Sequence, residues 1–146
     1  MDINKLKEQL KIDEGVIYEI YNDHLGYPTF GIGHLVLEGE PEHGLSVGTT
    51  ITEERVDACF EKDVEYVIND CKILHEDFDN YPEEVKQVIA NMMFNMGRTR
   101  LSKFNKHNAA LREGDWKTAA IEGRDSRWYN QVTNRAERLM KRLEEV

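Results

Sequence analysis

Asp13-Glu14-Gly15-Val16-Ile17-Tyr18-Glu19-Ile20-Tyr21-Asn22-Asp23, continued by Thr29-Phe30-Gly31-Ile32-Gly33-His34, is the stretch on which the reading of this chain turns. Before it, Ile3, Leu6 and Leu10 recur at three and four residues, one face of a helix that Asp2 or Asn4 would cap. Gly15 fits the position just past a helix end. Residues 16–21 change period and are rich in β-branched and aromatic side chains, as a strand is. Asn22 to Pro28 carry the chemistry of a turn, and Thr29 to Gly33 read as a second short strand. A helix therefore hands over to a hairpin, with Glu14 and Asp23 on either side of the handover.

Downstream, Gly39, Pro41, Gly44 and Gly48 break any periodicity over residues 36–51, which predicts a loop with room for one more short strand. Thr52-Glu53-Glu54 opens a long helix, with Thr52 as its cap and Val56, Phe60, Val64, Val67, Cys71 and Leu74 as its apolar stripe. Pro82 fits the first position of another helix. Its apolar face runs from Val85 through Met96 and ends at Gly97. Asp115 and Ser126 are candidate caps just before Trp116 and Trp128, and Asn134 is a candidate cap for a last helix to about Glu144.

The pattern predicts an α+β fold in one domain, residues 1–146. A hairpin lobe (about 14–51) leads through a connecting helix (about 52–75) to a helical lobe (about 76–146) that also takes the N-terminal helix. The expected active site is a cleft between the lobes.

Composition narrows the function classes. With 40% hydrophobic and 32% charged residues the chain is globular rather than disordered. No apolar run approaches the ~18 residues that span a bilayer. The first residues lack the apolar core of a signal peptide, so synthesis in a cytoplasm is expected. No long apolar surface stripe is left after the core is assigned, so a monomer is expected. Cys59 and Cys71 fall in one helix, roughly 18 Å apart along its axis, too far for a disulfide. Residues 1–90 hold 7 basic and 21 acidic side chains, net −14, whereas residues 91–146 hold 12 basic and 7 acidic, net +5. The basic half would suit an anionic polymer, but the overall charge of −9 argues against nucleic acid.

Two carboxylates flanking a site are the minimum equipment for hydrolysing a glycosidic bond. Glu14, on the last turn of its helix, faces the negative end of the helix dipole, a setting that suits a proton donor. Asp23 would activate water and Thr29 would help to hold it. Asp63 lies beside the apolar stripe and wants a partner, and an ion pair with His34 would tie the hairpin to the long helix. The five histidines have no metal-ligand spacing and no dinucleotide or phosphate-loop fingerprint occurs, so neither metal nor cofactor is expected.

Five ordered blocks resemble the phage-type lysozymes, glycoside hydrolase family 24. They are Ile12–Gly15, Gly26–Leu35, Phe60–Val64, Asn91–Gly97 and Ser126–Gln131 with Asn134-Arg135-Ala136. The resemblance implies cofactor-free, inverting hydrolysis of the β-1,4 bond between N-acetylmuramic acid and N-acetylglucosamine in peptidoglycan. It implies catalytic roles for Glu14, Asp23 and Thr29. It places Leu35, Phe94 and Phe104 against the glycan, and Arg135 beside Asp13, where the pair would fix the helix end. His107 stands where the family has a small hydroxyl residue at the cleft rim, and Glu122 where it has a substrate-contacting amide. These positions are read as substrate-binding, with altered detail.

The resemblance further implies release from a bacterial host cytoplasm with the help of a holin. Gly114-Asp115-Trp116 and Gly123–Ser126 also resemble the lysozyme domains of phage tail proteins, which would place the chain on a tail instead. A lytic transglycosylase would need the acid but no water-positioning aspartate. A non-catalytic glycan-binding module would not need Glu14, Asp23 and Thr29 together.

Overall fold

The computed structural model describes residues 1–146 and contains seven α-helices and one three-stranded antiparallel sheet. The chain divides into two compact units, one formed by residues 7–66 and the other by residues 1–6 with 67–146. No helix is long and apolar enough to cross a membrane.

The first unit takes most of α1 (Ile3–Glu14), the strands β1 (Ile17–Asn22), β2 (Pro28–Gly31) and β3 (His34–Leu35), and the first part of α2 (Glu53–Leu74). Leu10, Ile20, Phe30, Ile32, Ile51, Val56, Phe60 and Val64 are its buried apolar residues. α1 ends at Gly15, whose N–H donates to the Lys11 carbonyl at 2.9 Å. β1 and β2 pair with Tyr21 opposite Thr29, and an irregularity separates that pairing from Ile17 opposite Gly31. Within the irregularity β1 turns to residues 48–51: Ile20 N–H donates to the Thr49 carbonyl and Ile51 N–H to the Tyr18 carbonyl, both at 2.9 Å.

The third strand starts two residues before the segment where one was expected, because the chain reverses at Ile32-Gly33. The expected loop over 36–51 contributes only an isolated bridge, Thr50 opposite Glu19. Thr52 caps α2 as expected, its hydroxyl accepting the Arg55 N–H at 3.2 Å.

The second unit holds the remainder of α2, a 3₁₀ turn (Phe78–Asn80), α3 (Glu83–Leu101), α4 (Asn105–Arg112), α5 (Trp116–Arg124), α6 (Arg127–Gln131) and α7 (Thr133–Glu144). Its core is Phe78, Val85, Val88, Ile89, Met92, Met93, Leu101, Leu111, Trp128, Leu139, Met140 and Leu143. α3 kinks at Gly97, which sits at φ 79° and ψ 163°. Asp115 and Ser126 cap α5 and α6 through bonds of 3.1 Å from the Thr118 and Tyr129 N–H groups.

Two expected helix starts shift. Pro82 precedes the first helical residue rather than occupying it. Asn134 lies inside α7, because Val132 closes α6 and opens α7 at once and leaves no spacer in which Asn134 could act as cap. Cys59 and Cys71 are both buried thiols.

Candidate active site

Glu14 is the last residue of α1, and its carboxyl rests over the bare Cα of Gly33. A methyl carbon at Gly33 would stand 3.2 Å from Glu14 Oε2 and 3.5 Å from its Cδ. Gly33 adopts φ +61°, the left-handed conformation that a side chain resists. The reversal between β2 and β3 thus serves both to turn the chain and to seat the glutamate.

Asp23 is fixed by its own turn. Its Oδ1 accepts the N–H groups of Leu25 and Tyr27, each at 2.9 Å, and its own N–H donates to the Tyr27 carbonyl at 2.9 Å. Asx turns of this kind hold a carboxylate with little freedom. The Thr29 hydroxyl, nearly buried, donates to the same Tyr27 carbonyl at 2.9 Å, which leaves its lone pairs to accept from another donor.

Tyr21, opposite Thr29, responds to both carboxylates. Burial raises the pKa of its hydroxyl most, followed by the charge of Glu14 and then that of Asp23. Sequence reasoning took Tyr21 as a strand residue only. Its pairing with Thr29 is what puts it here, and register is invisible until the hairpin is closed.

His34 stands between two acids. Its Nδ1 lies 2.6 Å from Asp63 Oδ2, and its Nε2 lies 2.9 Å from both oxygens of Glu40. Burial alone would lower its pKa, but the bonds and charges of Asp63 and Glu40 outweigh that and raise it. Arg55 joins the cluster through Glu42, at 2.9 Å from each carboxylate oxygen, and reaches Glu40 at 3.3 Å. Glu40, Glu42 and Arg55 escaped the sequence reading, since their segment has no period to flag them. Leu35, next to His34, is 45% exposed. Asp13 accepts a bond from Gln9 at 3.3 Å.

The remaining candidates lie in the other unit. Lys103, Phe104, Asn105, Lys106, His107, Glu122, Asp125 and Ser126 line an open pocket of about 420 Å³. Phe104 packs edge-on against His107 and Trp128, with ring centroids 6.0 and 6.3 Å away. His107 presents little more than an edge to the pocket: it is 2% exposed and its Nδ1 lies 2.6 Å from the Ala119 carbonyl. Phe94 is half-buried on α3. Arg135 Nε donates to Asn91 Oδ1 at 2.9 Å.

Known proteins resemble this chain over most of its length. The chain matches the Phage lysozyme family over residues 11–145. It is 34% identical to probable T4-type lysozyme 2 of Dictyostelium discoideum, across 94% of this chain and 92% of that one. It is also 34% identical to the pre-baseplate central spike protein Gp5 of Enterobacteria phage T4, across 92% of this chain but 26% of that protein. A third relative, 27% identical across 97% of this chain and 15% of its own length, is the peptidoglycan hydrolase gp36 of Pseudomonas phage phiKMV.

Proposed function

The chain belongs to the phage lysozyme family, and from that premise we propose that it cleaves the β-1,4 bond between N-acetylmuramic acid and N-acetylglucosamine with inversion. It is a glycoside hydrolase, and its substrate class is peptidoglycan. The observation that carries the finer reading is the shared neighbourhood of Glu14 and Asp23. Both act on Tyr21, one from a helix end and one from a locked turn.

In this mechanism Glu14 donates a proton to the leaving glycosidic oxygen. Asp23 takes a proton from a water that attacks the anomeric carbon from the opposite face. Thr29, whose hydroxyl hydrogen is engaged by the Tyr27 carbonyl, accepts a bond from that water and aims it. An inverting course calls for carboxyl groups roughly 6.5–9.5 Å apart, leaving room for the water. Leu35, Phe94, Phe104, His107 and Glu122 are assigned to holding the glycan. The apolar rings and the exposed Leu35 side chain would stack on sugar faces, while Glu122 would take hydroxyl or amide donors.

The test is clearing of purified peptidoglycan by the parent and by Glu14→Gln, with mass spectrometry of the products. Clearing by the parent alone, with reducing muramic ends, supports the proposal. Anhydro ends would mean a transglycosylase. Binding without turnover by folded parent protein would mean a glycan-binding module. A second reading concerns delivery only: similarity to a span of the Gp5 spike protein supports a tail-borne form of the same activity, as against release from a host cytoplasm.

A further inference from the structure

Beside β3, three side chains of different chemistry that the proposed cleavage does not use converge. His34 offers an imidazole nitrogen, Glu40 a carboxylate and Cys59 a thiol, and their donor atoms all lie within 4.8 Å of one another. His34 and Cys59 are buried, at 8% and 5% exposure, and Glu40 is half-buried. We propose that His34, Glu40 and Cys59 form a binding site for a divalent transition metal of zinc's class, with a water as fourth ligand.

The geometry is near what such an ion requires. Metal–nitrogen bonds of ~2.0–2.1 Å and metal–sulfur bonds of ~2.3 Å put tetrahedral ligands roughly 3.3–3.8 Å apart, so His34 Nε2 and Glu40, now at 2.9 Å, need to open by a few tenths of an ångström and the Cys59 sulfur to close in by at most about one and a half. The surroundings fit as well. Asp63 holds Nδ1 of His34 at 2.6 Å, which leaves Nε2 facing Glu40 at 2.9 Å. A carboxylate behind a ligating histidine fixes the ring and makes its free nitrogen a better donor. A thiolate with an imidazole selects zinc, cobalt or a similar ion and disfavours calcium and magnesium, which take oxygen ligands.

Arg55 is the group that could oppose a cation here. Its guanidinium is held by both oxygens of Glu42 at 2.9 Å, and its reach to Glu40 is longer, at 3.3 Å. Glu40 Oε1 also accepts the Leu37 N–H at 2.7 Å, so it is Oε2 that can turn to a metal while Arg55 stays paired with Glu42. The ion takes the place of the proton shared by His34 Nε2 and Glu40. Binding sends that proton and the Cys59 thiol proton to solvent, and no electron is transferred. The bound ion would pin β3 and the segment after it to α2.

The experiment is titration of the reduced, full chain with cobalt(II). The expected result is a thiolate-to-cobalt charge-transfer band that saturates at one equivalent and is abolished by added zinc. Cys71→Ser, in the other unit, should keep the band and Cys59→Ser should lose it, with circular dichroism confirming the fold of each. Glu40→Gln, which keeps the shape of the side chain, should weaken binding at least ~10-fold, its fold likewise checked by circular dichroism. Absence of a band in the folded parent, a band surviving in Cys59→Ser, or unchanged affinity in Glu40→Gln would each overturn the site and leave an ordinary ion-pair cluster.

Discussion

A methyl group at Gly33 would press on Glu14 Oε2 from 3.2 Å and would also have to tolerate φ +61°. Gly33→Ala should therefore cost ~1–2 kcal/mol of stability from the left-handed conformation. Displacing the carboxyl proposed as the proton donor by about 1 Å is worth ~10²-fold in rate, so turnover on peptidoglycan should fall much further than the melting temperature suggests. His34 and His75 pull stability in opposite directions with pH. His34 has a raised pKa, so its contribution is complete below its ordinary value of 6.5 and is lost as the pH climbs through the folded value above that. Denaturant unfolding should show this decline above pH 6.5, and Asp63→Asn should flatten it. His75 is fully buried, and burial first, then Arg112 and His107, press its pKa down to about 4 against a weaker upward pull from Asn108. The folded state there resists a proton that the unfolded chain accepts, so stability falls as the pH drops from 6.5 toward 4, by roughly 3 kcal/mol in full. His75→Leu should remove that acid sensitivity, measured as the difference in unfolding free energy between pH 7 and pH 4.5.

At the scale of elements, the legible parts of this chain were those governed by local rules. Thr52, Asp115 and Ser126 announced their helices because a cap needs only its own side chain and an N–H group three residues on. Glu14, Asp23 and Thr29 could be singled out because they flank a change from helical to strand periodicity. What stayed hidden depended on closure in space. Tyr21 meets Thr29 only through hairpin register, and Glu40 meets His34 across 6 residues and Arg55 across 15. α4 was not foreseen, since Asn105 to Arg112 is short and its buried residues include the polar His107 and Asn108. Gly97 was read as a helix end, and at φ 79° and ψ 163°, a conformation essentially reserved for glycine, it does break the helix; the second helical segment that follows directly after it was not foreseen. Gly97→Ala should destabilise the protein by ~1–3 kcal/mol, detectable as a lowered denaturant midpoint without loss of overall helix content.

Over the whole molecule, charge is partitioned by unit. Residues 7–66 hold 4 basic and 14 acidic side chains, net −10, whereas residues 1–6 with 67–146 hold 15 basic and 14 acidic, net +1. The proposed catalytic carboxylates thus sit in the strongly acidic unit, which an anionic cell wall repels. Raising the salt shortens the screening length from ~30 Å at 0.01 M to ~8 Å at 0.15 M. Lysis rates should therefore rise over that range, where an enzyme held to the wall by positive charge would slow. Residues 1–6 belong with residues 67–146: the Asp2 N–H donates to Glu83, Gln87 donates to the Asp2 carbonyl at 2.8 Å, and Lys5 pairs with Glu84 at 2.6 Å. On a ribosome, then, residues 7–66 can collapse as one uninterrupted stretch while the rest of the chain is still being made. Residues 1–6 must wait, tethered to a finished neighbour, until the start of α3 emerges to receive them. The second unit is thus stitched from two separated stretches of chain, and intermediates in which α3 is not yet formed should differ from the mature protein most at residues 1–6.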